Sequence, residues 1–240
     1  MKDDLGKRMK KQYESRTRTW LPRRTYTLIR LDGKAFHTFT RGMERPFDAN
    51  FAEVMDETTR DLCNNIQGCK FAFTQSDEIS LLLTDFDRIE TAAWFDGNVQ
   101  KIVSVSASMA TAYFNHHFLP ALSSFDSQKL AFFDSRTWTI PDPIEVENYF
   151  IWRQKDAMRN AISMHAQSLY SPKELHGKSQ VDMLNMILDV KGEDHNEMPK
   201  GFQWGRSFVK GIPSFDGFSK MHYNFNRERI NLSLNIPHYE

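Results

Sequence analysis

Residues 25–31, TYTLIRL, are rich in β-branched and aromatic side chains and end at Asp32-Gly33, so the pattern predicts a strand that delivers Asp32 into a turn. Between residues 47 and 66 the apolar positions Phe47, Phe51, Val54, Met55, Leu62 and Ile66 recur roughly three to four apart, the period of an amphipathic helix. Residues 70–84, KFAFTQSDEISLLLT, place a polar Gln75-Ser76-Asp77-Glu78 centre between two apolar arms, as in a hairpin whose tight turn carries the acids. A second helix is expected from about 98 to 116, with Val99, Ile102, Val103, Ser106, Met109, Ala110 and Tyr113 on one face. Residues 128–133 read as a short strand. Asp142-Pro143-Ile144-Glu145 combines an N-cap acid, Pro at the first helical position and Glu at the third, a helix start that should carry Tyr149 through about Gln167. Beyond Ser171-Pro172 the pattern weakens to a helix over 180–188 and a Gly/Pro-punctuated stretch over 191–218. The order spells an α+β chain: a βαββαβ antiparallel sheet with helices packed on one face over residues 1–140, and a helical and irregular region over 141–240 completing the same unit.

Composition changes this picture little. In 240 residues, 40% hydrophobic content with 19 Phe can fill a sizeable core, while 31 basic residues balance 31 acidic ones, so total charge neither favours nor excludes a polyanionic partner. Residues 2–24, however, carry nine basic against three acidic side chains, which suits either a solvated helix face or a phosphate-contacting one. The first twenty residues have no apolar core of a secretory signal, and no apolar run approaches the ~18 residues that span a bilayer. Cys63 and Cys69 form no CxxC pair, and the eight histidines suggest no metal cluster. A reducing, cytoplasmic compartment and no membrane partner are expected.

The acids carry the chemistry. A strand, one crossover helix and a neighbouring strand separate Asp32 from Asp77, so their strand ends can meet. Crowded carboxylates repel unless a cation neutralises them, and Mg²⁺ favours one or two carboxylates together with water and phosphate oxygens. Phosphoryl chemistry uses that arrangement. Gly33 lets backbone approach a metal or phosphate, or is an ordinary turn glycine. Acids brought together by a sheet follow the logic of polymerase palms and nucleotide cyclases.

RLDGKAFHTF (residues 30–39) and TQSDEISLLL (74–83), followed by KIVSVSASMATAYFN (101–115) and YFIWRQKDAMRN (149–160), resemble the tRNA-histidine guanylyltransferase family in order and spacing. The resemblance implies a palm-like catalytic core, a homotetramer, two Mg²⁺ ions, ATP or GTP as substrates, and tRNA and NTPs as partners, with nucleotides added at the tRNA 5′ end in the 3′-to-5′ direction. Carried over by motif, Asp32, Asp77 and Glu78 are the catalytic acids, and Asp32, Asp77 and the Gly33 backbone oxygen bind metal. Gly33, Lys34, Ala35, Phe36 and His37 line the activating nucleotide, Lys34 standing where the family often has Arg. Ser76 and Lys101 contact triphosphate, although Lys101 also reads as an exposed first-turn residue. Arg153, Asp156, Arg159 and Asn160, beside Trp152 and Gln154, correspond to the segment near tRNA. After Asn160 the chain departs from the run typical of eukaryotic members and is closer to the guanylyltransferase-like branch of template-dependent 5′-end repair enzymes. A palm-type nucleotide cyclase or synthase, G addition to histidine tRNA, and a non-catalytic RNA-binding protein are the rival readings.

Overall fold

The first predicted strand becomes β1, Tyr26–Gly33, in the computed structural model, which describes residues 4–121, 129–210 and 218–221. Ahead of it lies α1, Leu5–Gln12, capped by Asp4 and exposed throughout. After it come a short turn of helix α2, Phe36–Phe39, the helix α3, Ala49–Asn65, and the hairpin of β2, Cys69–Gln75, and β3, Glu78–Leu83. Helix α4, Val99–Ala121, leads to β4, Phe133–Ile140. Then follow α5, Pro143–Leu169, the short α6, Pro172–Leu175, α7, Gln180–Leu188, α8, Lys200–Trp204, and the strands β5, Arg206–Lys210, and β6, Phe218–Met221.

The caps explain where the main helices begin. Asp48 accepts a hydrogen bond from the Phe51 amide at 2.8 Å, and Asp142 from the Ile144 amide at 2.8 Å ahead of Pro143. Ser179 and Asp182 form a reciprocal capping box on α7.

The strands form one antiparallel six-stranded sheet in the order β4-β1-β3-β2-β5-β6. Its first four strands with α3 and α4 are the expected βαββαβ unit. Alternation along each strand sends side chains to two faces. Ile29, Leu31, Ala72, Ile79 and Leu81 join the α3 and α4 residues Val54, Met55, Leu62, Ile102, Ala110 and Phe114 in one apolar core. Leu28, Phe71, Phe73 and Leu82 face the other way and pack against Val146, Tyr149, Phe150 and Ala157 of α5. The expectation of helices on one face of the βαββαβ unit holds for its helices α3 and α4, and α5 of the C-terminal region covers the opposite face.

Three strands, β4, β5 and β6, depart from the sequence reading. The short strand expected at 128–133 begins at Phe133 and runs to Ile140, and Gln128 lies outside the described residues. β4 is the edge of the sheet and only half-buried, so its sequence DSRTWTI lacks the apolar weight that drew attention to the residues before it. β5 falls inside the stretch read as irregular. It follows Gly205, at φ 78°, where an added Cβ would stand 2.4 Å from the Phe73 ring.

Candidate active site

Two residues, Ser76 and Asp77, turn β2 into β3, and Ser76 adopts the left-handed conformation at φ 48°. The Gly33 amide donates to the Asp77 carbonyl at 3.1 Å, tying the exit of β1 to that turn. Register does the rest: Asp32 lies opposite Glu78 on β3 and opposite Asp134 on β4. Three carboxylates therefore share one row across the strand ends, with Asp77 in the turn beside them. The row behind is basic, Arg30 opposite Arg136. Arg136 lies 3.8 Å from Asp32 and 3.5 Å from Asp134, and Arg30 keeps a buried Nε with no hydrogen-bond partner.

Like charges directly opposite each other on a sheet destabilise it. Burial, and then the charges of Asp32 and Glu78, push the Asp77 carboxyl up to about 6 against the lowering effect of its own amide and Ser76. Among the described residues no three or more His, Cys, Asp or Glu side chains are arranged to enclose a metal. The donor set, Asp32 and Asp77 with the Gly33 backbone oxygen alongside, fits a Mg²⁺ ion that keeps water and phosphate oxygens, and does not fit an all-protein cage.

Glu78, expected as the accompanying acid, is engaged elsewhere. Both of its oxygens accept from the Arg153 guanidinium of α5, each at 2.7 Å. Burial raises the Glu78 carboxyl while Arg153 pulls it back. Beside this pair the Ser80 hydroxyl is 2.8 Å from that of Tyr149, whose burial pushes its phenol up to about 12. Arg153, expected to contact RNA, has a side chain only 5% exposed and is withdrawn from any ligand surface. Asp156 holds Arg153 at 2.8 Å and also bonds Arg159, which is exposed.

The loop after Asp32 splits the expected nucleotide-lining set. Lys34, Ala35 and His37 are exposed, with Ala35 left-handed at φ 56° and the Lys34 amide bonded to the Phe132 carbonyl at 2.8 Å. Phe36 is buried among Phe39, Phe51, Phe114 and Phe133, so its ring cannot line a nucleotide. Gly33 owes its identity to that ring, since an added Cβ would meet it at 2.3 Å. Lys101 is exposed in the first turn of α4, its ammonium 5.7 Å from the Phe95 ring centroid. The basic N-terminal segment is strapped beside α4 by the Trp20–Asn98 bridge, and its Arg23 is bound to Asp85 at 2.6 Å.

A cavity of about 220 Å³ opens directly beside the acid turn. Gln75 and Ser76 form one wall, Glu44, Arg45 and Asp48 another, and Asn160 of α5 a third.

A family model described as tRNAHis guanylyltransferase matches residues 6–141, more than half of the chain. The chain belongs to the tRNAHis guanylyltransferase family. It is 33% identical over 205 residues to an uncharacterized protein of Acanthamoeba polyphaga mimivirus, covering 77% of this chain and 70% of that one. It is 28% identical over 179 residues to the tRNA(His) guanylyltransferase of Debaryomyces hansenii, covering 72% of this chain and 64% of the relative. The fold superimposes on a bacterial tRNA(His) guanylyltransferase-like protein in complex with ATP with a TM-score of 0.89 and 39% identity, over 97% of this chain and 100% of the other. A complex of such a bacterial protein with GTP matches at 0.82 and 38%, over 98% and 100%.

Within this guanylyltransferase family of nucleotidyltransferases, the palm-like sheet expected from the motifs is the one described above. Sequence reasoning missed Asp134, Arg136, Arg30 and the wall at 44–48. Asp134 and Arg136 alternate on β4, a signal that a strand placed five residues later would have exposed.

Proposed function

We propose that this guanylyltransferase adds nucleotides in the 3′-to-5′ direction to the 5′ end of truncated tRNA, pairing each against the opposite acceptor strand. In the first step a 5′-phosphate oxygen attacks the α-phosphorus of ATP or GTP, pyrophosphate leaves, and the end becomes nucleotidylated. In the second, the 3′-hydroxyl of the incoming NTP attacks the 5′-phosphorus and the nucleoside monophosphate leaves. Asp32, Asp77 and the Gly33 carbonyl would hold two Mg²⁺ ions, which when bound lower the pKa of the attacking hydroxyl and neutralise triphosphate charge.

The observation that carries this reading is the crowded acid row at the strand ends, next to a turn whose Ser76 lines the cavity. The chain's own groups fill the remaining roles. The cavity would receive the activating base, and the left-handed Ser76 in its wall would turn backbone toward the phosphates. Lys34, Lys101 and the unused Arg30 donor add positive charge. Arg159 and Asn160 mark the side on which RNA approaches. Action in the cytoplasm, as a homotetramer whose residues 1–140 form the catalytic core completed by 141–240, follows the family resemblance. Among the described residues no helix is long and apolar enough to cross a membrane.

The test is extension of a 5′-truncated, 5′-monophosphorylated tRNA with ATP, Mg²⁺ and all four NTPs, beside an Asp77→Ala control and altered acceptor strands. Addition of whichever nucleotide each strand specifies, lost in the control, is the expected result. Extension that ignores the acceptor strand would remove template dependence, and a cyclic or dinucleotide product from NTPs alone would replace the proposal with a cyclase.

A further inference from the structure

Resting on the metal-dependent reading above, we propose that Arg153 is a positioning residue for the reaction, acting through Glu78 to hold the Asp77 turn where the divalent cations bind.

Glu78 is the residue after Asp77 and the first of β3, so whatever fixes its carboxylate fixes the end of the turn. The Arg153 fork does so with two parallel bonds, Nε to Oε1 and Nη2 to Oε2, both 2.7 Å. Such a pair constrains direction as well as distance. Arg153 is itself held from two sides: Asp156 accepts from Nη2 at 2.8 Å, and the Trp152 ring centroid lies 4.4 Å from the guanidinium carbon. Ser80, bonded to Tyr149, adds a donor to Glu78 at 3.4 Å. Arg153, Asp156, Trp152 and Tyr149 all come from α5, which thereby reaches across the sheet face to the acid turn.

The turn needs such a brace. It has only two residues, one of them a serine in the left-handed region, where non-glycine backbone is strained. Nothing in a smooth apolar contact would stop it relaxing. Charge gives a second reason. With Glu78 neutralised by Arg153 and Asp134 lying 3.5 Å from Arg136, Asp32 and Asp77 remain as the pair proposed for the cation, the number that Mg²⁺ takes readily.

An RNA contact at Arg153 is incompatible with a side chain 5% exposed and fully occupied by carboxylates on its Nε and Nη2. The two roles predict different defects. A positioning arginine governs metal affinity and turnover, and an RNA-contacting one governs RNA affinity and its salt dependence.

The experiment compares the full-length wild type with Arg153→Lys and Asp156→Asn, using Mn²⁺ as the probe in isothermal titration calorimetry. Tm and far-UV circular dichroism report folding. Arg153→Lys keeps the charge but loses the fork, and is expected to weaken Mn²⁺ binding by about 10-fold or more, the usual consequence of removing a group that orients a metal ligand. Its kcat for tRNA extension falls, while KM for tRNA and the salt dependence of RNA binding stay at wild-type values. Asp156→Asn, which leaves the fork in place and removes one support, shows a smaller loss in the same direction and serves as the measurement if Arg153→Lys does not fold. Wild-type Mn²⁺ affinity in a folded variant, with or without a lower Tm, overturns the proposal. So does weaker RNA binding with unchanged Mn²⁺ affinity. A wild type that binds no Mn²⁺ removes the metal-dependent function and this inference with it, whereas a wild type that binds Mn²⁺ without extending tRNA removes only the proposed substrate.

Discussion

The two faces of the sheet are built from different materials. Under α3 and α4 the packing is aromatic: the ring centroids of Phe36, Phe39, Phe51, Phe118 and Phe133 lie 5.3–6.0 Å from that of Phe114. Under α5 the packing begins in the same way, with Phe71 against Phe150. Toward the strand ends it gives way to the Glu78–Arg153 pair and the Ser80–Tyr149 hydroxyls. Apolar burial is strong but non-directional, and tolerates sliding by fractions of an ångström. A buried bidentate ion pair contributes little net stability because desolvating both charges offsets their attraction, yet it sets geometry closely. One face therefore holds the fold together and the other aims the acids.

This division predicts that damage on the two faces separates. The largest effect is expected from Asp77→Asn, which should cut tRNA extension by about 10³-fold or more, the scale of losing charge stabilisation in a phosphoryl transfer, with Tm unchanged or raised. A Tm loss as large as that of a core mutant would break the division. Phe114→Ala should do the reverse, destabilising by about 3–5 kcal/mol in denaturant unfolding, while the folded fraction at low temperature keeps near-native turnover. Gly33→Ala joins the two regimes, because the new Cβ would press on the Phe36 ring. A cost of roughly 1–3 kcal/mol is expected, and because Gly33 also bonds the acid turn, turnover should fall with it.

The smallest effect is carried by one proton. Asp77 titrates at about 6 in the folded protein against 3.8 ordinarily. Between those values the folded state binds the extra proton, so this group's contribution to stability is highest at low pH and declines as pH rises through 6. The Tm advantage of Asp77→Asn over the metal-free wild type should therefore grow from pH 5 to pH 7. Saturating Mg²⁺ should shrink that advantage at pH 7, since it stabilises only the protein that binds it. An advantage independent of pH would mean that burial and the neighbouring acids do not raise the Asp77 carboxyl.

Much of this was legible in the chain. β1, the acid hairpin, α3, α4, α5 and α7 follow from period and capping, with α7 found at its predicted ends. Asp32 and Asp77 were readable because two strand ends and one crossover force them together. Besides β5 and β6, three things were not. β4 is an edge strand whose exposed side carries Asp134 and Arg136, so its hydrophobic signal is diluted. Phe36 sits in a motif of exposed polar neighbours, and only the ring cluster beneath it explains its burial. Arg153 looks like a surface cation in sequence, because its partner Glu78 is 75 residues away and pairing at that distance leaves no local trace.

The same separations set a timetable for synthesis. The acid hairpin leaves the ribosome with Glu78 bare, and its arginine follows 75 residues later, roughly 4 to 15 s at ordinary elongation rates. β5 comes later still, bringing Arg206 to Asp56 across 150 residues. A chain made through β4 can thus carry Asp32, Asp77, Glu78 and Asp134 and a nearly complete α3–α4 core while lacking the proposed brace. On the proposed role of Arg153, the acid turn gains its brace only when α5 docks.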